Sequence, residues 1–327
     1  MEDLATSPRA EIAAVAMAVP ARRVANAEIA AGVGVDESWI AKRTGTRERP
    51  WAVPGERLTD FAAQAGREAL ARAGIAAGEL DLVLVATSSP DEITPNAAVV
   101  LAGLLGADRA GALDVGAACT GWLAALAMAC GQIESGRARH ALVVGAEILS
   151  RRLDTSDRDT AALFADGAGA AVVSAAQAGR GAGAIGPIVL HTDPGGAELI
   201  RLEHGGRIQM RGQDTFRAAV RALSEVTREV AAAAGLSLTE IDLFVYHQAN
   251  SRIIRAVGQR LGLPAGSAVD YVDRFANSST ATLPIALTVA EREGRLRPGD
   301  RVLLASFGGG FTWGATIVRW RARGALD

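Results

Sequence analysis

Cys119 is the residue of this sequence best placed to act as a nucleophile. It follows an apolar stretch, 113–115, and a turn of small residues, and it precedes an Ala-rich segment, 123–134, with helical periodicity. This pattern predicts a buried strand, a tight turn and a helix, with the thiol near the helix N-terminus. The dipole and the unpaired N–H groups of that end favour an anion, so we expect a lowered thiol pKa. The alternative is an inert, buried apolar cysteine.

An internal repeat gives Cys119 a counterpart in the second half of the chain. Residues 67–83 resemble residues 228–244, and Cys119 and Gly136 line up with Asn277 and Gly294. A near-constant offset through helix, turn and strand indicates a duplication of the whole layout. If the halves pack about a pseudo-two-fold axis, Cys119 and Asn277 begin equivalent helices and meet at one site. A run of small residues at 175–183 predicts the boundary, with one unit at 1–177 and the other at 178–327.

His247 is the third candidate of this site. It follows the apolar stretch 241–246 and precedes residues that begin a helix. Ligands of open α/β sheets bind at this end of the strands, so His247 has a functional position. The alternation of apolar strands with helices predicts an α/β fold with a mainly parallel core.

Composition and charge exclude several classes of protein. The chain has 327 residues, of which 49% are hydrophobic, enough for one large domain or two ordinary ones. A net charge of −2 and a pI near 6.2 give no reason to expect a nucleic-acid partner. The two cysteines, Cys119 and Cys130, lie too far apart on one strand-helix unit for a disulfide. No signal peptide or membrane span is evident, and we expect a cytoplasmic protein.

A second cluster combines one aromatic ring with several cations. Residues 36–49 carry Trp39 and Arg43 through a passage from helix to loop. One interpretation is a solvated charged face with a single packed tryptophan. The other is a clamp for an anionic ligand with a flat ring, with Trp39 stacking on the ring and Arg43 binding phosphate.

Taken together, five motifs resemble the beta-ketoacyl-acyl carrier protein synthase III family, the initiating condensing enzymes of type II fatty acid synthesis. They occur in the family's order, over nearly the whole chain: AACTGW (117–122), FADGAGA (164–170), HQAN (247–250), FANSS (275–279) and FGGGFTWG (307–314). The resemblance implies a thiolase-like fold, in which two duplicated βαβ halves form five layers, α/β/α/β/α. It also implies a homodimer.

The resemblance implies a role for each candidate of the site. Cys119 would carry the acyl group, while His247 and Asn277 would hold the thioester carbonyl of a malonyl group during loss of carbon dioxide. The N–H groups of Cys119 and Gly309 would form a second oxyanion site, and Phe307 would line the site and exclude water. We expect no metal and no separate cofactor, because acyl-CoA is itself a substrate.

Binding residues also carry over from the family. By this resemblance, the residues that bind coenzyme A would be Trp39, Arg43, Arg158 and Asn250. The sequence departs from the family at Asp159, where the family more often has glycine. The resemblance also implies that an acidic carrier protein docks on four arginines, namely Arg217, Arg252, Arg255 and Arg260. The alternative is that these arginines form a solvated basic face.

The acyl pocket is expected to include Thr94 and Trp122. Thr94 aligns with a family position that closes the partner subunit's pocket, where acetyl-preferring members commonly place phenylalanine. A threonine there leaves room for longer or branched primers, unless Trp122, Met210 or a reshaped loop fills the space.

Each of three alternative functions can be tested against the residues that it would require. A degradative thiolase needs a second cysteine near residues 307–314, and none occurs there. An acyltransferase or starter-unit loading enzyme of a polyketide pathway would use the same acyl-cysteine without decarboxylation, but Asn277 favours condensation. A catalytically silent partner subunit would have no need to keep Cys119, His247 and Asn277 together.

Overall fold

Strands and helices alternate along both halves of the chain. The computed structural model describes residues 9–176 and 184–320, so the predicted boundary between residues 177 and 178 lies outside the described residues. The strands are β1 (Ala10–Ala18), β2 (Arg23–Ala25), β3 (Glu48–Pro50), β4 (Leu82–Ala86), β5 (Gly111–Val115), β6 (His140–Ile148), β7 (Asp166–Ala175), β8 (Ile185–Thr192), β9 (Ile200–Arg201), β10 (Gln209–Met210), β11 (Leu243–Tyr246), β12 (Arg301–Gly308) and β13 (Thr312–Arg319). The α-helices are α1 (Asn26–Val33), α2 (Glu37–Thr44), α3 (Leu58–Ala73), α4 (Ala97–Leu105), α5 (Gly121–Glu134), α6 (Gly212–Ala233), α7 (Ser251–Leu261), α8 (Val272–Phe275) and α9 (Thr282–Arg292).

Two sheets and three helical layers form the frame of the molecule. The first sheet has the order β1-β7-β6-β4-β5, and the second has the order β11-β12-β13-β8. Helices α5 and α9 lie between the sheets and share one apolar core with both. Helices α3 and α4 cover the outer face of the first sheet, and α6 and α7 cover that of the second. The predicted five layers, α/β/α/β/α, are therefore confirmed.

The sheets are mixed, so the prediction of a mainly parallel core is wrong. Strand β4 pairs in parallel with β5 and β6, and β11 pairs in parallel with β12. Strand β7 is antiparallel to β1 and β6, and β13 is antiparallel to β12 and β8. The reason is clearest for β12 and β13, which a short Gly-rich turn joins as a hairpin. Hydrophobicity alone cannot distinguish the two directions of a buried strand.

Hydrophobic periodicity located the helix after Cys119 and the strand before His247 within two residues. Helix α5 begins two residues before the predicted segment 123–134, and β11 begins two residues after the start of the predicted stretch 241–246. Helix α4 begins two residues after Pro95, because the Asn96 side chain caps it by accepting from the Val99 N–H at 2.9 Å. No helix in the described ranges is both long and apolar enough to cross a membrane.

The strand before Cys119, β5, is not buried, so that prediction is wrong. It lies at the edge of the first sheet, where β4 is its neighbour, and Leu113 is 49% exposed. An apolar edge strand offers unpaired N–H and C=O groups to another chain.

The internal repeat is visible in the backbone. Ala118 and Ala276 immediately precede Cys119 and Asn277, and both have a positive φ, of 44° and 48°. Strand β4 ends at Ala86 and β11 ends at Tyr246, so His247 follows β11 where Thr87 follows β4. The two halves therefore present equivalent strand ends and helix starts.

The two halves touch backbone to backbone beneath this region. A Cβ atom on Gly145 in β6 would lie 2.3 Å from the backbone oxygen of Thr280. The Thr280 hydroxyl also donates to the Ala86 carbonyl at 2.9 Å. Only glycine fits at position 145, and the ends of β4 and β6 are held against the segment that follows Asn277.

Candidate active site

One cavity of about 660 Å³ opens between the halves and collects most of the predicted site residues. Cys119, His247, Asn277 and Phe307 all line it. The predicted binding residues that also line it are Trp39, Arg43, Arg158, Arg217, Asn250 and Arg252. The predicted residues that do not line it are Thr94, Trp122, Arg255, Arg260 and Gly309.

Cys119 occupies a single helical turn, Ala118–Thr120, directly before α5. Its carbonyl accepts a hydrogen bond from the Ser306 hydroxyl at 2.8 Å, which ties the turn to β12. A Cβ atom on Gly308 would lie 2.7 Å from the Cys119 backbone nitrogen, so β12 runs directly against the nucleophile's backbone. These contacts fix the thiol at the cavity wall.

The protonation state of Cys119 differs from the sequence expectation. Burial raises the pKa of Cys119 to about 12, with a smaller contribution in the same direction from the charge of Glu147. A hydrogen bond with the Ser279 side chain acts in the opposite direction but is the smaller effect. The prediction of a lowered thiol pKa is therefore wrong for the resting protein. The thiol is protonated at neutral pH, so acyl transfer requires a proton acceptor.

Asn277 lies in the segment between α8 and α9, and its backbone pairs with the first half. Its N–H donates to the Leu163 carbonyl at 3.0 Å, and its carbonyl accepts from the Ala165 N–H at 2.9 Å. Its side-chain oxygen accepts from the Ser279 N–H at 2.8 Å. With the oxygen occupied, the Nδ2 amide is the part of the side chain left to donate into the cavity.

His247 follows β11 and is 1% exposed. Its Nδ1 lies 2.5 Å from the Thr282 hydroxyl, which is also 3.0 Å from the Ser279 carbonyl. Its Nε2 has no hydrogen-bond partner among the described residues. Burial lowers the pKa of His247 to about 3, so the imidazole is neutral at neutral pH. A buried, unpartnered ring nitrogen beside an open cavity is suited to a substrate contact.

Aromatic packing covers the other side of the imidazole. The Phe307 ring meets the His247 ring edge-on, with centroids 5.3 Å apart, and packs on Phe311 at 5.9 Å. Phe307 is 2% exposed, so it presents an apolar wall. Gly309 follows in the turn after β12, and a Cβ atom there would lie 3.7 Å from the Ala118 Cβ.

Trp39 lies at a cationic part of the cavity wall. The guanidinium carbons of Arg43 and Arg158 lie 5.4 Å and 5.7 Å from the centre of its ring system. Asp36 caps α2 by accepting from the Trp39 N–H at 2.9 Å and so fixes the start of that helix. Asp159 also lines the cavity, beside Arg158, and reduces the local positive charge.

The remaining predicted binding residues lie on or near α6 and α7. Asn250 caps α7, since its side-chain oxygen accepts from the Arg252 N–H at 2.8 Å, and its amide donates to the Arg43 carbonyl at 3.1 Å. The Arg252 guanidinium lies 5.4 Å from the centre of the Phe216 ring. Arg217 pairs with Asp214 at 2.8 Å and is 72% exposed. Arg255 and Arg260 are exposed on α7 outside the cavity.

The two predicted acyl-pocket residues lie elsewhere in the single chain. Trp122 is fully buried in the core between the sheets, where its indole N–H donates to the Val143 carbonyl at 3.3 Å. The prediction that Trp122 lines the acyl pocket is therefore wrong, because its side chain points into the core and away from the cavity. Thr94 is exposed on the loop before α4. Apolar residues that do line the cavity include Leu163, Ile200 and Met210.

Ser279 and Thr282 contact the site residues and were not predicted. Ser279 orients the Asn277 amide, and Thr282 lies against the His247 ring. A sequence signal existed for both. Residues 278–282 carry four hydroxyl side chains at the start of an otherwise apolar helix, where buried hydroxyls need partners.

This fold, with a thiol, an imidazole and an amide lining one cavity, defines a thiolase-like enzyme that transfers acyl groups. Residues 113–194 match the family described as 3-oxoacyl-[acyl-carrier-protein (ACP)] synthase III, and residues 231–320 match its C-terminal region. Beta-ketoacyl-[acyl-carrier-protein] synthase III of Rhizorhabdus wittichii is 44% identical over 320 residues, covering 95% of this chain and 99% of that one. The chain therefore belongs to the 3-oxoacyl-[acyl-carrier-protein] synthase III family.

Solved structures give the same result. The 3-oxoacyl-[acyl-carrier-protein] synthase III of Aquifex aeolicus has a TM-score of 0.92 and 37% identity, over 95% of this chain and 100% of that one. The priming beta-ketosynthase of the R1128 polyketide biosynthetic pathway also has a TM-score of 0.92, with 34% identity, over 97% of this chain and 98% of that one.

Proposed function

We propose that the protein condenses an acyl-CoA primer with malonyl-acyl carrier protein through an acyl-Cys119 intermediate, giving a beta-ketoacyl-acyl carrier protein and carbon dioxide. The observation that carries this proposal is the pair of neutral donors beside the thiol. The oxygen of Asn277 is engaged by the Ser279 N–H, and His247 has a free Nε2 and a depressed pKa. Two such donors suit the oxygen of an enolate.

In the first half-reaction, the Cys119 sulfur attacks the thioester carbonyl of acyl-CoA. The thiol proton leaves, the sulfur–carbonyl bond forms, and the coenzyme A thiolate departs and is protonated. The N–H groups of Cys119 and Gly309 stabilise the oxyanion of the tetrahedral intermediate. The close approach of Gly308 to the Cys119 nitrogen supports this arrangement.

In the second half-reaction, His247 and Asn277 bind the thioester oxygen of the malonyl group. Carbon dioxide leaves, and the enolate oxygen takes both hydrogen bonds; one donor of this kind is worth about 2.7–4 kcal/mol in other enzymes. His247 donates from Nε2 in the tautomer in which the Thr282 hydroxyl turns its proton from the Ser279 carbonyl to Nδ1. The enolate carbon then attacks acyl-Cys119, and the thiolate leaves. Phe307 supplies an apolar wall that limits protonation of the enolate by water.

The cavity wall carries groups that suit both substrates. Trp39, Arg43 and Arg158 offer a flat ring and two cations to the nucleotide end of coenzyme A. Asn250 lies along the channel, and Arg217, Arg252, Arg255 and Arg260 offer a basic face to an acidic carrier protein. Acyl-CoA is a substrate here, and the reaction as proposed uses no metal and no separate cofactor. The proposed location is the cytoplasm, which keeps the thiol reduced.

The working unit in this proposal is a homodimer joined at the edge strand β5. Exposed apolar side chains cluster on and beside that edge: Ile93 is 79% exposed, Val99 and Leu113 are each 49% exposed, and Met128 is 44% exposed. Such an apolar patch at an open sheet edge favours a second copy of the chain. Leu113→Lys should yield a monomer in sedimentation velocity, and a wild type that sediments as a monomer would contradict the assembly.

Intact mass measurements test the reaction. Acyl-CoA should add one acyl mass to the wild type and to Cys130→Ala, but not to Cys119→Ser, because a serine hydroxyl lacks a reactive thiolate. Adding malonyl-acyl carrier protein should remove that mass and produce a beta-ketoacyl-carrier protein with release of carbon dioxide. Transfer of the acyl group to the carrier without carbon dioxide release would indicate the loading enzyme instead. Acyl mass retained in Cys119→Ser would refute the nucleophile.

A further inference from the structure

A fully buried arginine without a carboxylate partner lies next to the cavity wall. Arg49 in β3 is 0% exposed. Its guanidinium donates to the Val24 carbonyl at 3.2 Å, to the Asn26 side-chain oxygen at 2.6 Å and to the Ala162 carbonyl at 3.2 Å. All three acceptors are uncharged, and no salt bridge of the described residues includes Arg49. Burying a cation without an ion pair is costly, so this arginine needs an explanation beyond packing.

The contact with Ala162 is the first of two side-chain contacts that hold residues 162–165. Trp51 follows Arg49 by two residues and is 9% exposed. Its indole N–H donates to the Phe164 carbonyl at 3.0 Å, two residues beyond Ala162. Ala162 and Phe164 both line the cavity, whereas Arg49 and Trp51 do not. The two side chains therefore hold this part of the cavity wall from behind.

The residues that alternate with these two hold Asn277. The Asn277 N–H donates to the Leu163 carbonyl at 3.0 Å, and the Asn277 carbonyl accepts from the Ala165 N–H at 2.9 Å. Phe164 and Asn277 form the parallel bridge between these two hydrogen bonds. One short segment thus contacts Arg49 and Trp51 through its carbonyls at 162 and 164, and Asn277 through its backbone at 163 and 165.

The same part of the chain also holds the helix before Asn277. Strands β2 and β3 pair as an antiparallel ribbon. The Arg47 N–H, just before β3, donates to the Asp273 carbonyl at 2.9 Å, and the Arg23 guanidinium in β2 donates to the Arg274 carbonyl at 3.0 Å. Both carbonyls belong to α8, which ends two residues before Asn277. The ribbon therefore braces Asn277 from two directions.

We propose that Arg49 and Trp51 are positioning residues for condensation, which fix the backbone of Asn277 through residues 162–165. The inference rests on the proposed function, in which the Asn277 amide binds the enolate oxygen. A donor acts only at the right distance and direction, and a displacement of about 1 Å can cost about 10²-fold in rate. Arginine suits this role, because its planar fork donates to several acceptors in fixed directions.

The test variants change these contacts with little change in volume. Arg49→Lys keeps the charge but replaces the fork with one ammonium group, and Trp51→Phe removes one N–H and keeps a ring. Arg72→Lys is the matched control, because Arg72 is 20% exposed and donates to the Val15 carbonyl on the outer side of the first sheet. We expect both test variants to slow condensation by about tenfold or more and to load Cys119 at nearly the wild-type rate. The control should keep both rates.

A double-mutant cycle distinguishes positioning of Asn277 from a general loss of structure. In an Asn277→Ala background the amide is absent, so Arg49→Lys should cause no further loss of condensation. Condensation that falls no more than acyl loading does, or a further loss in the Asn277→Ala background, overturns the proposal. If Arg49→Lys does not fold, Trp51→Phe decides by the same two measurements. A wild type that is never acylated, or that releases no carbon dioxide from malonyl-acyl carrier protein, refutes the proposed function instead.

Discussion

The side-chain oxygen of Asn277 accepts a hydrogen bond from the backbone N–H of Ser279 at 2.8 Å. The contact requires the turn that follows Asn277, in which Ser279 is left-handed with a φ of 48°. It fixes the orientation of the amide, so that the nitrogen is the group available to a ligand. The same contact would hold one oxygen of an aspartate at this position and leave the other facing the cavity.

Asn277→Asp should therefore separate the two half-reactions. Acyl loading from acyl-CoA should continue, while condensation should fall by about 10²–10³-fold, because a carboxylate replaces a donor and repels the enolate. Quenched-flow mass spectrometry follows both steps. Asn96→Asp, which changes the cap of α4, is the matched control and should behave as wild type. An equal loss of both steps in Asn277→Asp would show a purely structural role.

Because buried His247 is neutral in the folded protein, we expect the fold to lose stability in acid. Its pKa is lowered from 6.5 in the unfolded chain to about 3 in the folded protein. Between these values the unfolded state binds more protons, so stability is lost as pH falls from 6.5 toward 3, by up to about 1.4 kcal/mol per pH unit.

His247→Gln should make the melting temperature less dependent on pH across this window. The change His204→Gln, on an exposed loop, is the control and should leave the pH dependence as in the wild type. An unchanged slope in His247→Gln would show that other groups cause the acid sensitivity.

We expect the side chain of Thr94 to set which acyl-CoA primers the protein accepts. It is exposed on the loop before α4, close in sequence to the apolar edge proposed for dimerisation. If it closes the partner's acyl pocket, its small side chain leaves space for longer chains, at about 0.8 kcal/mol or nearly four-fold per methylene.

The wild type should then use isobutyryl- and hexanoyl-CoA at least as well as acetyl-CoA, and Thr94→Phe should lose hexanoyl-CoA first. The measurement is kcat/KM for each primer, with the exposed Thr239→Phe as control. A wild type strict for acetyl-CoA, or a Thr94→Phe variant that keeps hexanoyl activity, would contradict this assignment.

We expect that adding one methyl group at Gly145 strongly destabilises the fold. A Cβ atom there would lie 2.3 Å from the Thr280 backbone oxygen, and a backbone atom cannot move aside as a flexible side chain can. Gly145→Ala should destabilise the fold by about 1–3 kcal/mol or more. Gly131→Ala is the matched control, because nothing lies within 4 Å of that Cβ and alanine favours a helix. Denaturant unfolding of both variants measures the difference, and equal stabilities would refute the contact.

The sequence predicted features that depend on local pattern. The helical periodicity of residues 123–134 gave the limits of α5 to within two residues, and the internal repeat indicated that Cys119 and Asn277 occupy equivalent helix starts. The motifs gave the family and therefore the layers. Each of these signals is carried by residues close together in the chain or by a recognisable spacing.

Features that depend on contacts between distant segments were missed. The edge position of β5 depends on which strands pair, and an apolar run does not contain that information. The pKa of Cys119 depends on burial by other elements, which outweighs the effect of the nearby helix. Trp122 points into the core, because the direction of its side chain is set by packing between the sheets. The role of Ser279 depends on the conformation of one turn.

Three residues other than glycine have a positive φ in the described part of the chain, and all of them lie beside the proposed catalytic side chains. Ala118 precedes Cys119, while Ala276 and Ser279 lie on either side of Asn277 and Ser278. Conformations of this kind cost about 1–3 kcal/mol each. In the described part of the chain, this strain therefore lies next to the reacting groups, where relaxing the backbone would misdirect them. Engineering for heat resistance should succeed elsewhere in the molecule, while glycine substitutions at these positions should trade turnover for stability.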